Sequence, residues 1–435
     1  MSNESILEQK IQAIEATIPE KRNPIGFKTL QETINRWLLI RDMGIIKVLA
    51  GAVIANRLNA DAVWLFIVAA SGGAKTELIR GLNKVEGIYP VSDLTPQTFL
   101  SGDKGQKNAS LLLRLRADTI LTLKDFTTVL TMHRDKRHAI LSQLREIYDG
   151  YYRKEFGTGE SKTWEGKMGF IAGVTSVIDN HQSVFQVLGE RFIQYRPTQP
   201  DAIALAKKAI ANNGGEKVMR EEIQNAFADF IAGITIPQNT TIVSENLKDR
   251  IAHLAAFCVK ARSGVIRDGY SSREIELIPD AELPTRLAKQ LITMESAFEL
   301  IGDGTPEENY ELIYKIGMDT MPLKRKRTLE TLLMSDKPLE TADIATTIGY
   351  PTNTTRRILE ELHGLGLAAR EHFGQGHADK WLISKTTTEL LEKARPDSLK
   401  VAPLEESSNA QGIPEKSDEL QQETLLDTST EGVHP

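Results

Sequence analysis

A single cysteine, Cys258, is all the thiol chemistry this chain carries, so no disulfide can close within it and no cysteine-ligated zinc site can form. That scarcity suits a reducing, cytoplasmic setting. Histidine is sparse too, with 8 in 435 residues. None pairs at zinc-ligand helical spacing beside a third ligand: His133 and His138 stand five apart, and His372 and His377 flank a glycine loop. A Gly-x-Ser-x-Gly nucleophile motif is missing, which disfavours hydrolases of that kind. Long apolar runs are missing as well. Residues 44–58 are interrupted by Lys47 and Arg57, and residues 62–70 fall short of the ~20 a bilayer requires. Residues 1–21 are charged and polar, without the apolar centre of a signal peptide. Nor is there a surplus of positive charge: Lys and Arg number 53 against 59 Asp and Glu, for a net charge of −6. Any contact with nucleic acid must therefore come from local patches.

What is present describes a globular protein, 40% hydrophobic and 26% charged, long enough for two or three cores. Residues 1–60 read as an N-terminal helical segment, with Ile6, Ile11, Ile14 and Ile18 and then Leu30, Ile34, Trp37 and Leu38 at helical spacing. Across residues 61–200, short apolar runs at 63–68, 119–123, 169–174 and 192–195 alternate with helical stretches, which predicts an α/β core around a parallel sheet. Residues 201–305 turn helical, notably at 248–262 and 284–301, and predict a helical lid. A further globular unit spans 306–395. Residues 396–435 are acidic and lack a hydrophobic period, which predicts a disordered tail.

Between the first strand and the helix that follows lies Val68-Ala69-Ala70-Ser71-Gly72-Gly73-Ala74-Lys75-Thr76. Small residues let backbone N–H groups wrap phosphates, a lysine reaches the β and γ oxygens, and a hydroxyl serves Mg²⁺. Ser71, Gly72, Gly73, Ala74, Lys75, Thr76 and Glu77 are the nucleotide-binding candidates, with ATP and Mg²⁺ as ligands. Alanine stands at Ala69 and Ala74 where the standard pattern has glycine, which keeps the loop small but gives up easy access to positive φ.

About fifty residues on, Thr119-Ile120-Leu121-Thr122-Leu123-Lys124-Asp125-Phe126 is an apolar strand with one acid where such ATPases carry two. Either Asp125 serves the metal and Phe126 replaces the catalytic acid, or Lys124 replaces the metal ligand and Asp125 is the catalytic acid. The strand at 169–174 ends in Thr175 and Ser176, and Thr175 could meet the γ-phosphate or the attacking water. Arg191, opening the last strand, is the candidate to reach a neighbouring subunit's nucleotide, with Arg196 second. Arg286, in the first turn of the helix near Pro284, is the candidate on the lid side.

This order of motifs resembles the AAA+ superfamily over about residues 40–300. Gly72-Gly73-Ala74-Lys75-Thr76 is similar to the alanine-containing loop of the minichromosome-maintenance helicases, and the whole stretch resembles ATPases of phages and mobile elements. The resemblance implies an oligomer, a ring with ATP between subunits. Residues 151–164 predict a glycine-turned hairpin where those helicases carry a DNA-touching one. Lys154 and Lys162 become channel candidates, with a plain surface hairpin as the alternative.

Helices at 324–333, 341–348 and 353–365, followed by strands at 368–373 and 380–384, spell a winged helix-turn-helix whose third helix enters the major groove. Thr352, Asn353, Thr355, Arg356 and Arg357 are the groove candidates, and His372, His377 and Lys380 the wing candidates. Residues 324–327, all basic, would add phosphate contacts. The chain thus reads as a DNA-binding AAA+ ATPase, a helicase or DNA-remodelling motor in the replication of a phage or mobile element. The alternative is an ATP-switched DNA-binding regulator with little turnover.

Overall fold

Five short strands, β1 (Trp64–Val68), β2 (Ile88–Val91), β3 (Ile120–Leu123), β6 (Gly169–Val174) and β7 (Phe192–Tyr195), align in the order β2-β3-β6-β1-β7. Every pairing among them is parallel. Parallel strands need long crossovers and are covered on both faces, so they are written as unbroken apolar runs, and all residues of β1, β3, β6 and β7 are buried. β2, by contrast, is an edge strand with half-exposed residues and Pro90 in it, as an edge allows. The computed structural model describes residues 22–102, 110–116, 118–157, 159–181, 190–237, 243–269, 274–372 and 378–399. These described residues fall in one compact unit. The helix expected around Ile6–Ile18 and the tail beyond residue 399 lie outside the described residues.

Alternate side chains of each strand enter two different cores. Leu65, Ile67, Ile171 and Ile193 face a helical layer made of α1 (Phe27–Trp37), α2 (Gly44–Arg57), α3 (Lys75–Gly81), α7 (Glu216–Ala232) and α9 (Thr285–Ile301). Trp64, Phe66, Phe170 and Phe192 face the other way, with Phe126 and α5 (Arg134–Tyr148). There Phe66 and Phe192 stack with ring centroids 3.8 Å apart. Burying each such aliphatic or aromatic side chain contributes about 1.5–3 kcal/mol, so the sheet is fixed from both sides. Before α5 comes the short α4 (Thr127–Leu130), and after it the antiparallel hairpin β4 (Tyr151–Glu155) and β5 (Ser161–Glu165).

The segment after the sheet continues through α6 (Ala202–Ala211), α7, α8 (Glu245–Arg262), the small hairpin β8 (Ile266–Arg267) and β9 (Ile275–Leu277), α9 and α10 (Pro306–Asp319). Next come α11 (Leu323–Leu333), β10 (Leu339–Glu340), α12 (Thr341–Ile348), α13 (Thr352–Gly364), β11 (Ala368–Glu371), β12 (Lys380–Ile383) and α14 (Lys385–Ala394), with β10, β12 and β11 forming an antiparallel sheet. Leu329, Ile344, Leu359, Trp381 and Leu391 belong to the same core as the inner layer of the large sheet. The final described residues are docked, since Asp397 N donates to Glu307 at 2.7 Å.

Candidate functional site

The turn after β1 is built by two left-handed residues, Gly72 at φ 82° and Ala74 at φ 60°. Lys75 N donates to Gly73 O at 2.7 Å and Gly73 N to Ala70 O at 3.3 Å. A Cβ at Gly73 would sit 3.2 Å from the Ala70 carbonyl oxygen and would have to push aside the tip of the exposed Gln199 side chain, 2.8 Å away. Ala74 accepts its left-handed backbone at a steric cost of roughly 1–2 kcal/mol. α3 opens directly at Lys75. Lys75 is buried and, among the described residues, its Nζ donates only to the Ala70 carbonyl, at 3.3 Å. Burial pushes this ammonium below the usual lysine range, and the negative charge of Asp125 opposes that shift.

At the acidic strand end Lys124 is half-buried, Asp125 exposed and Phe126 buried. Asp125 has its charge felt at Lys75, and its Oδ1 accepts from Thr127 N at 2.9 Å. Phe126 is fully buried in the aromatic layer, with its N–H on Gly173 O at 2.7 Å. β6 lies between β3 and β1, so Thr175 at its end stands between the two flanking strand ends. Thr175 N donates to Thr127 Oγ1 at 3.1 Å, and the two hydroxyls are 3.2 Å apart. The sequence pattern did not single out Thr127, which ties Asp125 to Thr175.

Beside the turn is a cavity of about 260 Å³, lined by Gly72, Lys75 and Thr76 on one side and by Trp37, Leu39, Leu205 and Lys208 on the other. Trp37 is held there by its Nε1 donating to Glu222 at 2.8 Å, and Lys208 Nζ donates to Arg36 O at 2.6 Å. Nothing local in the sequence marks this wall, because α1 and α6 arrive from opposite sides of the sheet strands in chain order. Glu77 receives Arg80 at 2.7 Å and, from the helical segment, Arg220 of α7 at 3.0 Å.

Arg286 is a correction, placed away from the Lys75 turn, while Arg191 was expected to serve a neighbouring subunit's nucleotide and not its own chain's. Phe192 pairs with Trp64 at the start of β1, so Arg191 lies at the strand end opposite Lys75, about 13 Å away along the strands alone. Its side chain is only 4% exposed and grips both oxygens of Asp149, at 3.0 and 2.7 Å. Arg286 joins it there, bonded to Glu282 at 2.7 Å, and both guanidinium groups face the Tyr148 ring. Neither faces the Lys75 turn of its own chain. Arg196 does lie near that turn, but it forks onto Asp179 with two 2.8 Å bonds.

Several expected DNA contacts are also spent internally. Lys154 Nζ donates to Leu100 O at 3.1 Å and Lys162 Nζ to Ser101 O at 2.6 Å, which ties the β4–β5 hairpin down instead of offering its charge. Thr355 is fully buried, with its hydroxyl on Pro351 O. Arg325 is buried against Glu361, and Lys326 binds Asp319. Thr352, Asn353 and Arg356 are exposed on α13, Arg357 is half-buried, and Lys380 is half-buried on β12. His372 pairs with Asp379 at 2.8 Å, and His377 lies outside the described residues.

No family model matches the chain, and no curated protein does. Two solved apo structures of the NrS-1 C-terminal region are similar at 15% and 13% identity, with TM-scores of 0.26 and 0.28. The first match covers 56% of this chain and 58% of that one, and the second 85% and 78%. The chain thus spans little more than half of the first structure's length. Likeness at these scores carries no argument, and the case rests on the chain's own geometry. Among the described residues no helix is long and apolar enough to cross a membrane.

Proposed function

We propose that this chain is an AAA+ ATPase with a winged-helix DNA-binding region, which couples ATP binding and hydrolysis to handling DNA in the replication of a phage or mobile element. The observation that carries the reading is the buried Lys75 ammonium, which sits in a turn of small residues, feels Asp125 and opens onto a cavity. Turn N–H groups and Lys75 bind the phosphates, while Trp37, Leu39 and Leu205 give the base an apolar wall. Thr76 and Asp125 supply a hydroxyl and one carboxylate, hard oxygen donors open to solvent, which suit a Mg²⁺ ion that keeps several waters. Such an ion, when bound, neutralises charge on the phosphate oxygens. Thr175, oriented by Thr127, positions the attacking water. On the DNA side, the exposed Asn353 and Arg356 of α13 are the readers, and Arg357 and Lys380 contribute at its margins. A ring of copies would bring arginines of one subunit toward the nucleotide of the next.

A second reading is favoured by Phe126. Its place in the core leaves Asp125 without an acidic neighbour on the strand end, which suits an ATP-switched DNA-binding regulator with little turnover. ATP turnover by the wild type and Lys75→Ala, with and without single-stranded and duplex DNA, separates these. DNA-stimulated turnover lost in the variant supports the motor, binding without turnover supports the switch, and absence of ATP binding overturns both.

A further inference from the structure

The core of its own unit buries one face of α13 through Thr355, Ile358, Leu359 and Leu362. At 100° per residue, the opposite stripe runs through Asn353, Arg356, Arg357, Glu360 and Gly364. A helix entering the major groove presents that stripe, in a groove only about 12 Å wide. Its first half is open to solvent. Its second half is covered by the β8–β9 hairpin, which arrives from between α8 and α9.

The cover is specific. Arg267 of β8 donates to Glu361 at 3.1 Å, to Glu360 at 3.1 Å and to the Arg357 carbonyl at 2.6 Å. Its side chain is 15% exposed, so these bonds are shielded and stronger than surface pairs. Next to it Ile278 lies on Gly364, where an added Cβ would be 2.6 Å from the Ile278 Cδ1 atom. Arg325 holds the other edge of Glu361 at 3.0 Å. One charged and one apolar contact thus seat the same hairpin on the same stripe.

We infer that the β8–β9 hairpin is an autoinhibitory clamp: seated on Glu360, Glu361 and Gly364, it blocks a duplex from engaging α13, and duplex binding requires its release. This rests on the reading of α13 as the DNA helix. Glu360 also belongs to the clamp logic by charge, since a carboxylate on the stripe repels phosphates and Arg267, at 3.1 Å, is its shorter ion pair, Arg356 of α13 lying at 3.8 Å. The hairpin follows directly from α8, which packs in the same helical assembly as α9 and α10, so movement of that assembly is the means of unseating it.

The test uses the full chain and a labelled mixed-sequence duplex of about 20 base pairs, read by fluorescence anisotropy at fixed salt. Arg267→Ala removes the charged contact, and Gly364→Ala disrupts the apolar one from the helix side without changing charge. Each is expected to bind the duplex about fivefold more tightly than the wild type. Added duplex should also speed hydrogen exchange at residues 265–269 of the wild type. If both variants bind no more tightly than the wild type while Arg356→Ala weakens binding, the clamp is overturned and the DNA helix stands. Absence of duplex binding by the wild type and both variants overturns the DNA reading and the clamp with it.

Discussion

The two ends of the parallel sheet use charge in opposite ways. At the end where β1 runs into its turn, Lys75 is buried with only a carbonyl contact, and Asp125 is exposed with a backbone N–H. At the other end, Arg191 is locked to Asp149, Arg286 to Glu282, and Arg262 to Glu282 at 2.9 Å. Both ends carry a desolvated lysine that meets a carbonyl and, among the described residues, no carboxylate: Lys167 at the second end donates to Leu58 O at 2.7 Å, and burial pushes it down to about 8; what sets Lys75 apart is its place in a turn of small residues. A desolvated guanidinium forked onto a carboxylate is held for the fold, whereas the Lys75 ammonium is, on the proposed reading, the group that meets the nucleotide.

The largest effect should come from breaking that contrast at its open end. Lys75→Ala is expected to lower ATP turnover by roughly 10²–10³-fold with the thermal midpoint little changed, as read by phosphate release beside calorimetry. At the closed end, Arg191→Met should do the reverse. It strands Asp149, which is half exposed, so a loss of about 1–3 kcal/mol is expected in urea unfolding, with ATP affinity unaltered. If Arg191→Met abolished ATP binding by the isolated subunit, the division between the two ends would collapse.

A third site sharpens the contrast by placing a charge-bearing group where neither ligand nor partner meets it. Glu295 of α9 is fully buried, neither carboxyl oxygen has a hydrogen-bond partner, and burial pushes its pKa up to about 8. Glu299 and Glu307 push the same way, against Lys47 and Arg250. The folded value lies above the unfolded one, so the stability it contributes is complete below about pH 4.5 and is lost as pH rises toward 8. Glu295→Gln should therefore flatten the pH dependence of the urea midpoint between pH 5 and 8, and stabilise the protein at neutral pH by about 2–3 kcal/mol. An unchanged pH profile would refute the assignment. The smallest effect belongs to the turn itself: Ala74→Gly relieves the left-handed backbone and should add about 0.5–1 kcal/mol of stability, measured in the same unfolding series.

Strands β1, β3, β6 and β7 were legible because a strand buried on both faces must be written as an apolar run, and β2 was not because Pro90 and its exposed neighbours resemble a loop. The Lys75 turn was legible from its small residues, and so was the acidic strand end, although only packing could decide that Phe126 belongs to the core. Trp37 and Leu205 had no local signature, since their role comes from meeting across the fold. Arg286 misled for a related reason. It has the spacing of a residue that serves a nucleotide, but spacing along the chain does not say at which end of the sheet a side chain emerges. Thr355 shows the same limit on α13, where hydroxyl character at a helix start suggested exposure and helical phase put it inside.

The unbroken core that carries Leu329, Trp381 and Leu391 alongside the inner layer of the sheet bears on how this chain can vary. α14 lies on α8, and Tyr310 of α10 donates its hydroxyl to the Ala394 carbonyl at 2.6 Å with Arg250 stacked 3.8 Å from its ring. A C-terminal piece cut away and fused to another protein would carry an uncovered apolar face, and the remainder would keep a matching wound. Shuffling by recombination is therefore penalised here, and, on the proposed reading of α13, new DNA preferences would have to be acquired by point changes on its exposed stripe rather than by exchange of the whole unit.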